Sequence, residues 1–189
     1  MRRCCALGLI ALLAGCAMAP RVPLPADTAA IRDFELSGRV AVRMEGRGYA
    51  ARLRWQHRDS RDALWLYSPV GSVLATLTVA ANGAVLTTAD QATFRSSDVQ
   101  ELTREVLGWD LPLEGLQHWV VARPDPHVPI EDARRDPRDR LQSLRQREWT
   151  ISYLAYAADS GLPSSMALRY GQLQLKLVID RWHHAAPAP

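Results

Sequence analysis

The sequence predicts a mainly antiparallel β-sheet with two short helices packed against one side of it. Three observations lead to this fold class. Apolar and polar residues alternate along most of the chain, the period lengthens to that of a helix in one central stretch, and the alternation then returns. Strands followed by helices and then by further strands are typical of a sheet whose apolar face is covered by helices.

The first sixteen residues have the features of a bacterial lipoprotein signal. Arg2 and Arg3 form a basic start, and the run 6–14 is apolar apart from one glycine. That run is far shorter than the ~20 apolar residues of a spanning helix, so it indicates a secretion signal. It ends in Leu-Ala-Gly-Cys at 13–16, where small residues fit a signal peptidase and the Cys16 thiol takes a diacylglycerol. The alternative is an ordinary secretory signal that contains a chance cysteine.

Cleavage before Cys16 removes fifteen of the 189 residues, two of them arginines, and leaves a mature chain of 174 residues with a net charge of +1. The other two cysteines leave with the signal, so an internal disulfide is excluded. The near-neutral charge gives no reason to expect nucleic-acid binding. We expect a signal over 1–15, a lipidated N-terminus and tether over 16–30, one domain over 31–183 and a tail over 184–189.

Ala17 and Met18 follow the cysteine, so no aspartate stands beside it. In bacteria that sort lipoproteins by such an aspartate, its absence directs the protein to the outer membrane. We therefore expect a protein anchored by its lipid to the outer membrane and facing the periplasm.

The first two strands form a hairpin with one apolar face and one polar face. A turn over 46–48 separates them, and the residues of the apolar face are Phe34, Leu36, Gly38, Val40, Val42 and Met44, then Tyr49, Ala51, Leu53 and Trp55. Such alternation is typical of an antiparallel sheet with one buried face. Further strands are predicted over 63–68, 72–80, 84–88 and 92–95.

The helical period occupies the middle of the chain. Residues 97–100, Ser-Asp-Val-Gln, form a capping box that predicts a first helix ending at Gly108. A second short helix is predicted over 113–123. The stretch 124–140 interleaves Asp and Arg with three prolines, which indicates an exposed loop. Strand alternation returns in three segments, at 149–153, 166–170 and 173–182.

Two short helices can bury only part of the long apolar face of this sheet. Strongly twisted sheets of this size curl toward a barrel, whose interior can hold a ligand. The alternative is a filled core, and periodicity alone favours the filled core.

Several motifs, taken in order, resemble the family of the outer-membrane lipoprotein receptor LolB over essentially the whole mature chain. The matching pieces are the Cys16 lipobox, Phe34-x-Leu36-x-Gly38-Arg39-x-Ala41, Ala51-Arg52-Leu53-Arg54-Trp55, Ser68-Pro69-Val70-Gly71-Ser72, Pro112-Leu113 before Leu116-x-x-Trp119, Trp149-x-Ile151-x-Tyr153, Leu162-Pro163-x-x-Met166-x-Leu168, Leu175-Lys176-Leu177 and Trp182.

The resemblance implies a mainly β fold with a few helices: a curved, incompletely closed antiparallel β-barrel covered by short helices, with a hydrophobic cavity inside. It implies a monomeric receptor that binds the acyl chains of lipoproteins delivered by a periplasmic carrier. The receptor then inserts the lipoprotein into the outer membrane. Neither catalysis nor a cofactor is implied.

The resemblance also suggests two groups of site residues. In the family, the turn that corresponds to Pro69, Val70 and Gly71 carries an exposed leucine that acts in membrane insertion. Val70 keeps the apolar character, although a valine in a tight turn could also pack onto the sheet. The candidate acyl-chain cavity residues, some of which must be plain core, are Phe34, Leu36, Val40, Val42, Leu53, Trp55, Leu64, Leu66 and Trp119.

Two other classes of function stay open. An envelope scaffolding lipoprotein could use the same curved sheet to bind a protein partner. An envelope hydrolase has less support, because no serine stands in a Gly-x-Ser-x-Gly setting. His183 and His184 are adjacent, but the sequence places no further metal-ligand cluster beside them, so no metal is expected. The sequence contains no glycine loop ending in Gly-Lys-Ser/Thr, so nothing in it indicates nucleotide binding.

Overall fold

The computed structural model describes residues 31–184. The predicted signal, Cys16 and the tether lie outside the described residues, as does the chain beyond 184. The described part contains eleven strands and two helices. They are β1 Phe34–Met44, β2 Arg47–Arg58, β3 Arg61–Tyr67, β4 Val73–Ala80, β5 Gly83–Thr88, β6 Thr93–Ser96, α1 Val99–Leu107, α2 Leu113–Trp119, β7 Asp132–Arg135, β8 Leu141–Gln146, β9 Trp149–Tyr156, β10 Pro163–Tyr170 and β11 Leu173–His184.

All eleven strands form one antiparallel sheet. Its order is β6-β5-β4-β3-β2-β1-β11-β10-β9-β8-β7, so the first and last strands of the domain pair at its centre. β6 and β7 are the two edges, and the sheet is not closed between them. The chain crosses from one edge to the other through α1 and α2, and α1 packs against β5 and β6. The predicted fold class, an incompletely closed antiparallel barrel covered by short helices, is confirmed.

The predicted hairpin is present, with its turn shifted by one residue. Glu45 and Gly46 both have positive φ, +49° and +78°, and form a two-residue turn. Such turns match the twist of the strands they join. Arg47 and Gly48, which were expected in the turn, are the first residues of β2.

Gly38 shows why the first strand needs a glycine. The pairing of β1 with β11 shifts register between Ser37 and Gly38, and the two backbones approach closely there. A Cβ atom at Gly38 would lie 2.1 Å from the carbonyl oxygen of Val178 and 3.0 Å from the Cα of Ile179. Both obstructing atoms belong to the backbone, so the central strand pair has to separate to admit a side chain.

We expect Gly38→Ala to lower the free energy of unfolding by ~3 kcal/mol, at the upper end of the usual cost of overpacking. Urea unfolding followed by circular dichroism measures this change. Gly48→Ala is the matched control, since nothing lies within 4 Å of its added Cβ. Equal stability of the two variants would contradict the close approach of β1 and β11.

Three sequence predictions about the connecting region were wrong in detail. The N-cap of α1 is Asp98 rather than Ser97, and its carboxylate accepts hydrogen bonds from two backbone N–H groups of the first turn. α2 ends at Trp119, four residues early, because Ala122 takes a φ of +57° and the Arg123 N–H donates to the His118 carbonyl. The expected loop 124–140 contains β7, whose four residues are all exposed. A charged edge strand buries no face, so it leaves no alternation to detect.

Side chains fill the interior of the curved sheet near the start of β1. Phe34 packs edge-on against Trp55, with ring centroids 4.9 Å apart, and also against Trp182. The Trp55 indole N–H donates to the buried Asp62 carboxylate over 2.7 Å. This hydrogen bond gives both buried polar groups, the indole N–H and the carboxylate, a partner. The aromatic cluster closes that end of the interior.

Candidate functional site

An apolar cavity of about 450 Å³ lies between the concave face of the sheet and the helices. Every residue that lines it is aliphatic or aromatic. Strand residues supply its floor because alternate side chains of each strand point inward. The lining residues are Val40, Val42, Tyr49, Ala50, Ala51, Leu53, Trp55, Leu64, Leu66, Leu74, Ala75, Leu77, Leu86, Val106, Leu107, Trp109, Leu111, Leu116, Leu168, Leu175 and Leu177.

The helices and the segment between them cover the cavity. Val106 and Leu107 come from the last turn of α1, Trp109 and Leu111 from the connection, and Leu116 from α2. Thr103 fixes the connection, since its hydroxyl accepts a hydrogen bond from the Leu111 N–H over 3.0 Å. The volume lies within the ~300–1,000 Å³ that is typical of ligand sites. The filled core favoured by periodicity alone is therefore wrong for this part of the interior.

The cavity reaches solvent beside two partly exposed lining residues. Tyr49, at the start of β2, is 56% exposed, and Leu74, at the start of β4, is 42% exposed. Both lie close to turns at one end of the sheet, where the β1–β2 and β3–β4 hairpins end. This end is the open end of the cavity.

The β3–β4 turn, residues 68–72, forms a hydrogen-bonded tip at this end. The Ser68 N–H donates to the Ser72 carbonyl over 2.8 Å, and the Gly71 N–H donates to the Ser68 carbonyl over 2.9 Å. Gly71 has a φ of +96°, which favours glycine. Val70 is 89% exposed and Pro69 is exposed too, so the alternative in which Val70 packs onto the sheet is excluded.

Six of the nine residues predicted for the cavity line it: Val40, Val42, Leu53, Trp55, Leu64 and Leu66. Phe34 lies in the aromatic cluster at the filled end, and Leu36 is fully buried. Trp119 is also fully buried, and its indole N–H donates to the side-chain oxygen of Gln146 over 3.0 Å. These three residues are core rather than cavity wall.

The nine predicted cavity residues include none of the lining residues that β4, β5, β10, β11 and the helices supply. The same inward alternation in those strands was the available signal, for example at Leu168, Leu175 and Leu177. Tyr49 stands on the predicted apolar face of the hairpin, but that pattern does not show that it lies at the cavity's open end. Leu74 carried no such signal, because it is out of phase with the buried residues Ala75 and Leu77 of β4.

A larger cavity of about 1080 Å³ has a different character. Charged and polar groups such as Asp33, His57 and Arg123 line it. Burial lowers the pKa of His118, another lining residue, although the Asp125 carboxylate opposes this effect. A polar lining does not suit hydrocarbon, so lining chemistry rather than volume identifies the smaller cavity as the candidate site.

Within residues 31–184, no three His, Cys, Asp or Glu side chains are grouped as they would be to hold a metal ion. Neither helix in the described part of the chain is long and apolar enough to cross a bilayer.

Comparisons with known proteins relate the whole domain to one family. The family model described as outer membrane lipoprotein LolB matches residues 32–182. An outer-membrane lipoprotein LolB of Thiobacillus denitrificans is 35% identical over 187 residues, which cover 98% of this chain and all of that protein. A protein of the same name from Chromobacterium violaceum is also 35% identical, over 96% of this chain and 99% of its own.

A solved structure shares the fold at low sequence identity. A DUF1329 family protein from Desulfovibrio piger has a TM-score of 0.53 and 7% identity, over 86% of this chain and 89% of that one. This likeness concerns the fold alone.

Proposed function

Because this chain belongs to the LolB family of outer-membrane lipoproteins, we propose that it is a receptor for other lipoproteins. It accepts a lipoprotein from a soluble periplasmic carrier by binding its acyl chains in the apolar cavity. It then inserts that lipoprotein into the outer membrane, to which it is itself anchored at Cys16. The protein acts as a binding and transfer factor rather than as an enzyme.

The observation that carries this proposal is the apolar cavity whose open end stands beside an exposed apolar tip. Hydrocarbon is the only ligand class that such a lining matches throughout, since it offers almost no hydrogen-bonding partners. Burial is worth about 0.8 kcal/mol per methylene, so a chain of about fifteen methylenes gains ~12 kcal/mol on leaving water.

Transfer requires that the affinity for acyl chains increases from the carrier to the receptor and from the receptor to the bilayer. The receptor has to bind acyl chains better than the carrier does and less well than the bilayer, so that each step runs downhill without ATP. The tip offers a route for the second step, because chains that leave the cavity beside Val70 enter lipid without crossing water.

The experiment that tests acyl-chain binding is a titration of the mature chain with an apolar fluorescent probe, with Cys16→Ser so that no lipid anchor is attached. We expect one saturable site, from which a triacylated lipoprotein displaces the probe. The same lipoprotein without its acyl chains should not displace it. Absence of a saturable site would overturn the proposal and favour the scaffolding alternative.

Cys16→Ala is expected to abolish membrane anchoring. Stable anchoring needs more than one acyl chain, and Cys16 is the residue that we propose to carry them. Fractionation of cells in high salt measures the effect. Cys5→Ala is the matched control, since Cys5 belongs to the part that is removed. If the Cys16→Ala protein stays with the membranes as the Cys5→Ala protein does, the proposed anchor is wrong.

A further inference from the structure

Three exposed cations lie together on the convex face of the sheet, the face turned away from the acyl cavity. Arg43 on β1 pairs in register with Gln174 on β11, and Gln174 pairs with Arg169 on β10. Lys176 points to the same side as Gln174, two residues further along β11. Neighbouring strands are ~4.8 Å apart, so the backbones of Arg43 and Arg169 are about 10 Å apart. We call Arg43, Arg169 and Lys176 the basic rim.

The basic rim borders an open groove of about 620 Å³. Short side chains beside the cations, Ala41, Ala50 and Ala167, also line this groove. Gln174 stands between Arg43 and Arg169, and its amide N–H groups can donate to an anion that both arginines bind.

None of the three rim cations forms a salt bridge within the described residues 31–184. Two acidic residues further from the rim on this face are paired with other arginines. Asp180 binds Arg39 over 2.8 Å, and Glu131 binds Arg145 over 2.8 Å. Glu45, in the β1–β2 turn, offsets part of the positive charge, while Arg52, exposed on the same face, adds to it.

The basic rim lies at the same end of the sheet as the Val70 tip. Arg43 and Arg169 are each two residues from a turn, and the β1–β2, β3–β4 and β10–β11 turns all lie at this end. A flat surface that receives the tip therefore comes within reach of both arginines. A bilayer presents such a surface, with hydrocarbon for Val70 and phosphate groups at its boundary.

We propose that the basic rim is a docking surface for the phosphate groups of anionic phospholipids in the membrane that receives the cargo. Guanidinium groups bind phosphate through paired hydrogen bonds, and lysine binds it as a point charge. Docking orients the open end of the cavity toward the bilayer before the tip enters it. This inference rests on the proposed function for its choice of membrane.

The test measures binding of the mature chain carrying Cys16→Ser to vesicles by co-sedimentation. The vesicles are made either of phosphatidylcholine alone or of phosphatidylcholine mixed with phosphatidylglycerol. Each basic side chain at an anionic surface contributes about a fivefold factor in affinity. The triple variant Arg43→Gln, Arg169→Gln, Lys176→Gln should therefore lose about 100-fold in affinity for the anionic vesicles.

The matched control is the triple variant Arg61→Gln, Arg95→Gln, Arg138→Gln. It removes the same charge from exposed residues elsewhere that also lack a salt bridge within the described part of the chain. We expect it to keep at least a tenfold preference for anionic vesicles. Equal losses in the two triple variants, or no preference in the wild-type protein, would overturn the proposal.

A parallel assay scores transfer of lipoprotein from the carrier to the same variants. The rim variant should accept cargo as the wild-type protein does, because none of its three residues lines the acyl cavity. If acceptance falls while vesicle binding stays unchanged, the rim is a surface for the carrier and the lipid proposal fails. Failure of the proposed function is distinguishable, since the wild-type protein would then accept no cargo whatever its affinity for vesicles.

Discussion

Replacing Leu66 with glutamate is expected to reduce the affinity for an apolar probe or an acylated lipoprotein by 100-fold or more. Leu66 lines the cavity on β3 and is half-buried, so water can solvate the new carboxylate while the cavity is empty. Hydrocarbon would displace that water and leave a charge in an apolar site, which costs several kcal/mol. A loss of 1.4 kcal/mol in binding free energy is tenfold in affinity.

Thr78→Glu is the matched control for this prediction. Thr78 is exposed on β4, the next strand, and its side chain points away from the cavity. We expect Thr78→Glu to bind the probe as the wild-type protein does. Leu66→Trp provides a second route if the glutamate variant does not fold, because a larger side chain occupies the space that hydrocarbon needs. Unchanged binding in folded Leu66→Glu or Leu66→Trp protein would show that the ligand lies elsewhere.

Val70→Glu is expected to slow delivery of bound lipoprotein into vesicles about tenfold while leaving acceptance from the carrier unchanged. Val70 is 89% exposed, so its replacement removes no packing from the core. Burying a valine in lipid is worth ~1.5–3 kcal/mol, enough to bias a transient contact and too little to anchor the protein. A two-step assay that scores carrier-to-receptor and receptor-to-vesicle transfer separately measures both effects.

Three further variants test why Val70→Glu slows delivery. Val70→Leu introduces the leucine that the family resemblance implies for this turn and should keep or raise the rate of delivery. Val70→Gln removes the apolar contact without adding charge, so it separates loss of insertion from repulsion by anionic lipid. Ile130→Glu places the same charge on another exposed apolar residue and should have no effect on delivery. Normal delivery by Val70→Glu and Val70→Gln would exclude the tip from insertion.

The sequence predicted the sheet well because most strands bury one face. Alternation located the strands from β1 to β6 to within a few residues, and the motifs around Gly38 and Val70 led to the correct family. The four residues of β7 gave no such signal, since all of them are exposed at the edge of the sheet. β8 was not predicted either, because it begins at Leu141, directly after the predicted loop 124–140, and is only six residues long.

The division between cavity wall and core could not be predicted from alternation. Leu36 and Leu53 stand on the same face of the hairpin, yet Leu53 lines the cavity and Leu36 is fully buried away from it. The difference depends on how the sheet curls and on which side chains meet the helices. Trp119 was predicted to line the cavity because of its apolar surface. Its indole N–H instead donates a hydrogen bond to Gln146, which belongs to β8, a strand that was not predicted.

The central claim is that this chain takes acyl chains into its cavity from a carrier. The most direct measurement mixes a carrier–lipoprotein complex with the mature chain carrying Cys16→Ser, separates the two proteins, and finds which one holds the lipoprotein. We predict that the wild-type cavity takes the lipoprotein in a one-to-one complex and that Leu66→Glu leaves it on the carrier. Lipoprotein that stays on the carrier with the wild-type cavity, or moves equally well to the Leu66→Glu variant, would contradict the claim.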